Sequence, residues 1–285
     1  HIPRIHVASI ETCGMVEQMN SDEELFRISG DPFWADHAEE VAFNSYPAAV
    51  MPDFKALRYI TSPNMVENDS KDHHPGIANS GPFLMMNPFS SRCCQHNHAQ
   101  GWPYYAENTF MATSDNGVGV VLYGSADGTA KVGRGELMSW TMKSNYPFEE
   151  KIEFTVTKGT REAVPLYFRV PAWAKGAEVS LNGSHVTPKG EASSKFFKLD
   201  RRWISGDRIV LNFPMGFRLK TWTANRNSVS LSYGPLTLSL AIAESYATRN
   251  SAETAIGGSP ASSLASSAAV SACSVRRRGS KKDGK

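Results

Sequence analysis

The spacing of apolar residues changes character near residue 115. Before that point it is helical. Over residues 12–51, Val16, Met19 and Phe26 keep roughly helical intervals, and Gly30 stands where a helix would stop. Asp31-Pro32 then supplies an N-cap and a first-turn proline for a second helix, along one face of which run Trp34, Ala38, Val41, Ala42 and Ser45. Helix pairs joined by a short turn suit a helical barrel or solenoid. Residues 52–92 break this pattern: Pro52, Pro63, Pro75, Pro82 and Pro88, with Gly76 and Gly81, permit little regular structure. The segment is rich in Phe, Met and Asn and ends at a pair of cysteines, so an ordered active-site loop is expected. Beyond it, Pro103 is expected to start a short helix with its aromatic residues inside.

From Asp115 the period shortens to that of strands. Apolar runs at 118–123, 151–156, 165–170, 177–181 and 208–213 are separated by Gly, Asn, Asp and Pro. The runs at 151 and 177 alternate strictly, as half-buried strands should. Asn182-Gly183 is the strongest hairpin signal in the chain. Many short strands with turn chemistry between them predict a β-sandwich. After Tyr246 the pattern vanishes into an Ala, Ser, Thr and Gly tract, closed by the basic run 276–282. Such a tail cannot bury a core, and the abrupt change suggests an altered reading frame. Without interleaved aromatics the basic run reads as solvated charge.

Composition adds bounds. The 285 residues suit one large domain or two smaller ones, and 41% hydrophobic with 20% charged residues is ordinary for a globular protein. Net charge is +2, much of the excess lying in the last ten residues, so neither nucleic acid nor membrane is an expected partner. No apolar run is long enough to span a bilayer. The start, His1-Ile2-Pro3-Arg4-Ile5-His6, has no initiator methionine and no signal pattern, and looks like an entry in mid-fold. Three cysteines required as thiols lean toward a reducing, cytoplasmic compartment. The oligomeric state is left open.

The candidate chemistry sits in Ser91-Arg92-Cys93-Cys94-Gln95-His96-Asn97-His98, which holds two of the four cysteines with two imidazoles behind them. Cys13 lies far upstream in Glu11-Thr12-Cys13-Gly14. A carboxylate, three thiols and two histidines outline a metal site, since zinc takes thiolate, imidazole or carboxylate in four-coordinate geometry. Glu11 and Cys13 would diverge on a helix but share one side of an extended segment. Adjacent Cys93 and Cys94 cannot face one point from a strand, so an irregular loop is expected to present them. Neither pair has C-x-x-C spacing, and buried free thiols or a redox pair remain open on chemistry alone. His37, His73 and His74 read as packed or solvated histidines rather than ligands.

Together these residues resemble glycoside hydrolase family 127, the β-L-arabinofuranosidases, and the related family 146. The resemblance rests on Glu11-Thr12-Cys13-Gly14 entering a helix, Gly30-Asp31-Pro32, the Pro/Asn-rich loop and Cys93-Cys94. It continues through Arg169-Val170-Pro171-Ala172-Trp173-Ala174 and Tyr233-Gly234-Pro235-Leu236. It implies an (α/α)6 barrel followed by a β-sandwich, with one zinc on Glu11, Cys13, Cys93 and Cys94. It also implies Cys93 as nucleophile of a retaining mechanism, and Tyr59 and Glu11 as contacts to an L-arabinofuranose-containing glycan. His96 and His98, just behind the cysteine pair, would serve either as hydrogen-bond donors to the ligands or equally as hydrogen-bonding residues of the loop. The expected organisation is α+β and multidomain: 1–114 as the end of a catalytic barrel carrying the zinc loop, 115–246 as sandwich, and 247–285 as disordered tail.

Two departures bear on activity. The family's general acid/base is a glutamate ahead of the E-T-C-G segment, and no position here matches it; Glu17 and Glu24 read as solvated. About 114 residues also fall short of six helical hairpins, so the chain is expected to be the C-terminal part of such an enzyme, inactive alone. The competing reading is a non-catalytic carbohydrate-binding or structural module, in which three cysteines and a glutamate form a closed structural zinc site. A dithiol redox protein is weaker, because adjacent cysteines lack dithiol-motif spacing. Limited proteolysis is expected to remove residues 247–285 and leave the strand-rich region intact, read by mass spectrometry; a protected tail would contradict this.

Overall fold

In the computed structural model the described residues are 10–52, 54, 57–61, 84–85, 93–186 and 195–240. His73, His74, most of the proline-rich segment and the tail lie outside them. The first helix, Thr12–Ser29, buries Met15, Val16, Met19, Asp22, Glu23 and Phe26 along one face. It ends at Gly30, whose φ of 65° lets its N–H reach the Phe26 carbonyl at 2.7 Å. Asp31 caps the second helix by accepting from the Phe33 N–H at 3.2 Å, with Pro32 in the first turn. That helix runs Pro32–Glu40, widens into a π turn at Val41–Ser45 and finishes at Tyr46–Ala48. The π turn presents Asn44, whose amide donates to the Pro235 carbonyl at 3.0 Å and accepts from the Thr237 N–H at 2.7 Å. Among the described residues no helix is long and apolar enough to cross a membrane.

The third helix corrects two expectations. It spans Cys93–Glu107, so the cysteine pair sits on a helical first turn rather than in an irregular loop, and Pro103 lies inside it rather than at its start. Proline there forfeits the bond to the Ala99 carbonyl. Ala99 is exposed, and water can take that acceptor. Gly101 is needed for packing, since a β-carbon would come within 2.5 Å of the Tyr46 ring. The Tyr46 hydroxyl also donates to the His98 carbonyl at 2.6 Å, and the two rings stack at 4.4 Å.

The strand-rich part forms two facing sheets. One has four strands in the order Phe196–Arg202, Ala163–Arg169, Val118–Val120, Phe110–Ala112. The other has six: Ser184–His185, Glu178–Leu181, Arg208–Asn212, Lys151–Lys158, Glu136–Ser144 and Ala126–Val132. Val120, Leu166 and Phe168 of the first share one core with Trp140, Phe154 and Leu211 of the second, and Phe154 meets Phe168 edge to face at 5.4 Å. Asn182 and Gly183 both take positive φ, 51° and 82°, and join Glu178–Leu181 to Ser184–His185 as the sequence predicts. The apolar run 118–123 is not one strand: pairing stops at Val120, and Val121 and Leu122 turn into the helical core. Residues 217–238 form a separate three-stranded sheet rather than part of the two facing layers.

One buried arginine joins helices to sheets. Arg169, at the end of its strand, is fully buried and pairs with Asp36 and, at 2.5 Å, with Glu39, both on the second helix. Its Nε donates to the Val121 carbonyl at 2.5 Å. Glu39 accepts from the Tyr146 hydroxyl at 2.6 Å, and Asp36 accepts the Ala172 N–H at 3.0 Å. Burial raises the pKa of both carboxyls, and the arginine opposes it. Arg169→Met would strand two carboxylates in the interior. The expected loss is about 3–5 kcal/mol of unfolding free energy by denaturant titration; a loss below about 1 kcal/mol, the level of a surface pair, would show the cluster to be unimportant.

Candidate metal centre

Two helix N-termini and one short strand build the site. Ile10–Glu11 is extended and pairs antiparallel with Ile60–Thr61. The backbone turns helical at Thr12, so Glu11 occupies the N-cap position and Cys13 the first turn. Cys93 and Cys94 open the third helix, which packs against the first. At a helix start, neighbouring residues about 100° apart can both reach a point beyond the helix end. The same ends carry partial positive charge that favours thiolate over thiol.

The donor atoms of Glu11, Cys13, Cys93 and Cys94 all lie within 4.8 Å of one another. Cys93 Sγ is 3.8 Å from Glu11 Oε1 and 3.9 Å from Cys94 Sγ, and Cys94 Sγ is 3.3 Å from Glu11 Oε1. Ligand bonds of 2.3 Å in a tetrahedron give sulfur–sulfur edges of about 3.8 Å, so these separations are near those of one shared ion. Cys13 and Cys94 are closer, at 2.9 Å between sulfurs, which is longer than a disulfide bond. An ion between them would spread that pair. Burial pushes the Cys13 thiol up to about 11 and raises Cys94 further. Thiols crowded together and hard to ionise are what a borderline-soft cation would neutralise, and the donor set fits zinc.

The cysteines differ in access: Cys94 is buried, Cys13 half-buried and Cys93 exposed. Tyr59 is placed beside the ligand segment, its carbonyl accepting the Thr12 N–H at 3.0 Å. His98 is half-buried against Tyr46, and burial lowers its pKa, whereas His96 is exposed. His37 hydrogen-bonds buried Asp22 at 2.6 Å, a packed histidine. Glu17 is exposed, and Glu24 pairs on the surface with Arg27 at 2.8 Å. The sequence reading passed over Thr12, although it stands between two of the four donors, and over the Asp36–Glu39–Arg169 cluster, in which the arginine is far in sequence from the two carboxylates.

The profile of the β-L-arabinofuranosidase GH127 catalytic domain matches residues 2–107, and that of the GH127 middle domain matches residues 117–215. A GH127 β-L-arabinofuranosidase from Geobacillus stearothermophilus T6 superposes with TM-score 0.67 at 23% identity, over 82% of this chain and 37% of that one. A second glycoside hydrolase gives TM-score 0.67 at 23% identity, over 80% and 37%. A GH127 β-arabinofuranosidase gives 0.64 at 22% identity, over 80% and 36%. At these identities the likeness is one of fold, and this chain spans about 37% of the length of the first two. No curated protein matches it.

The burial order sets a reactivity order. In metal-free protein at pH 8, about a thousandth of a thiol titrating near 11 is ionised. Iodoacetamide is therefore expected to label exposed Cys93 ahead of Cys13 and Cys94, as mapped by peptide mass, and stoichiometric zinc should protect the two inner thiols further. Equal labelling of the three, or no protection of Cys13 and Cys94 by zinc, would contradict the arrangement.

Proposed function

The chain belongs to glycoside hydrolase family 127, and from that premise we propose that it is part of a zinc-dependent retaining glycosidase acting on β-L-arabinofuranosides. One observation carries the reading: four donors of zinc-binding type meet at one point, and a single thiol among them, Cys93, faces outward. In this reading Glu11, Cys13, Cys93 and Cys94 hold the ion. When bound, zinc supplies the positive charge that keeps the thiols ionised at neutral pH. Cys93 Sγ attacks the anomeric carbon, forming a carbon–sulfur bond as the glycosidic carbon–oxygen bond breaks, and water later displaces the sulfur. The leaving oxygen takes a proton from a general acid, for which the family pattern supplies no residue in this chain. Tyr59 and Glu11 flank the sugar. The helices correspond in this reading to the closing part of an (α/α)6 barrel, and the two facing sheets to a β-sandwich.

The second reading keeps the metal but drops the chemistry. Four protein donors can fill a tetrahedral ion completely, as in structural zinc sites. The ion would then only staple the third helix to the first. The exposure of Cys93 favours the catalytic reading, because a purely structural ligand gains nothing from solvent access.

In a chain extended to include the upstream glutamate, Cys93→Ser is expected to abolish turnover of an aryl β-L-arabinofuranoside, since an alkoxide is far harder to form than a thiolate. Cys94→Ser should act through weaker metal binding and recover in part with added zinc. The 285-residue chain should show little hydrolysis, because a positioned acid contributes about 10²- to 10⁴-fold. Robust hydrolysis by it would place the acid within these residues, at His96, His98 or Glu17.

A further inference from the structure

We propose that Thr12 is the positioning residue of the metal centre, holding Glu11 and Cys13 at the separation one ion requires; the inference rests on the metal reading above. Thr12 stands between the two ligands and is fully buried. Its Oγ1 donates to the Arg58 carbonyl at 2.5 Å, and its N–H donates to the next carbonyl, that of Tyr59, at 3.0 Å. Glu11 pairs across to the residue after that, Ile60. Three successive residues of segment 58–60 therefore grip the ligand pair from one side.

That segment is itself anchored. Arg58 is 5% exposed, and its guanidinium donates to the carbonyls of Ala48 at 2.7 Å and Val50 at 3.2 Å, at the end of the second helix. The position of the ligands is thus referred through Thr12 and Arg58 to a rigid element. The need arises because Glu11 makes no side-chain capping bond to its own helix. Its carboxylate is turned toward Cys94, 3.3 Å away, so the usual device for fixing a helix start is given up. The Thr12 hydroxyl replaces it. Without that hydroxyl the Arg58 carbonyl loses a buried donor, and one of the three holds on the turn from extended chain to helix is gone. Ligand groups must stay within about 0.5 Å of their working geometry, so the cost falls on metal affinity.

The test is cobalt(II) titration of the metal-free 285-residue chain, read by thiolate-to-cobalt charge-transfer absorption. Thr12→Val, which keeps the shape, and Thr12→Ala should each bind about 10- to 100-fold more weakly and give an altered band. Thr12→Ser keeps the hydroxyl and should match the parent. Val179→Ala, in the distant sheet core, should lower stability and leave cobalt affinity unchanged. Parental affinity in both Thr12→Val and Thr12→Ala would overturn the inference, as would equal weakening by Val179→Ala. If the parent chain gives no thiolate band at all, the metal reading itself fails, and this inference with it.

Discussion

A single buried guanidinium decides how the two halves of this molecule meet. Arg169 ends a strand of the four-stranded sheet, yet its partners Asp36 and Glu39 belong to the second helix. Charges of this kind are costly to bury and tolerated only when paired and hydrogen-bonded, which the carbonyl of Val121 and the hydroxyl of Tyr146 complete here. The geometry leaves little freedom to slide one half past the other. The Arg-Val-Pro-Ala-Trp stretch thereby acquires a physical account: it is where the sheet holds the helices.

The consequence reaches the cysteines by direct contact. The second helix, fixed by Asp36 and Glu39, ends in Tyr46, which packs on Gly101 and His98 of the third helix. The third helix begins with Cys93 and Cys94. The Arg58 guanidinium binds carbonyls at the end of the same second helix and its carbonyl receives Thr12, so Cys13 is located from that helix too. Both halves of the donor set are thus measured from one element. Sulfurs about eighty residues apart in sequence come within 2.9 Å for this reason.

Electrostatics then sorts the thiols. Burial makes Cys13 and Cys94 poor acids, while two helix ends supply a weak opposing field. A field of that size does not offset the burial of two thiols, whereas a doubly charged ion bound directly to sulfur does. Cys93, on the open side, is the one sulfur of the three free to meet a large partner. Metal ligation and nucleophilic reach are therefore compatible at one residue.

Much of this was legible in the residues themselves. Gly30, Asp31 and Pro32 mark a helix boundary because each acts locally, through φ, a capping oxygen or a missing N–H. Asn182-Gly183 marks a hairpin for the same reason. The donor set was legible as chemistry, since carboxylate and thiolate types restrict the metals they bind. Local rules failed where packing outweighed them. Pro103 signals a helix start, yet the helix continues through it because the aromatic face on either side packs as one surface, Trp102 and Tyr105 around Phe43. The run 118–123 has strand character throughout but is divided after Val120, because Val121 and Leu122 are claimed by the helical core. The cysteine pair looked fit only for a loop, and a helix start served instead. Neither the Arg169 cluster nor the Thr12 clamp could be read in advance. Each depends on which distant carbonyl or carboxylate stands within hydrogen-bond reach, and that distance exists only once the chain is folded.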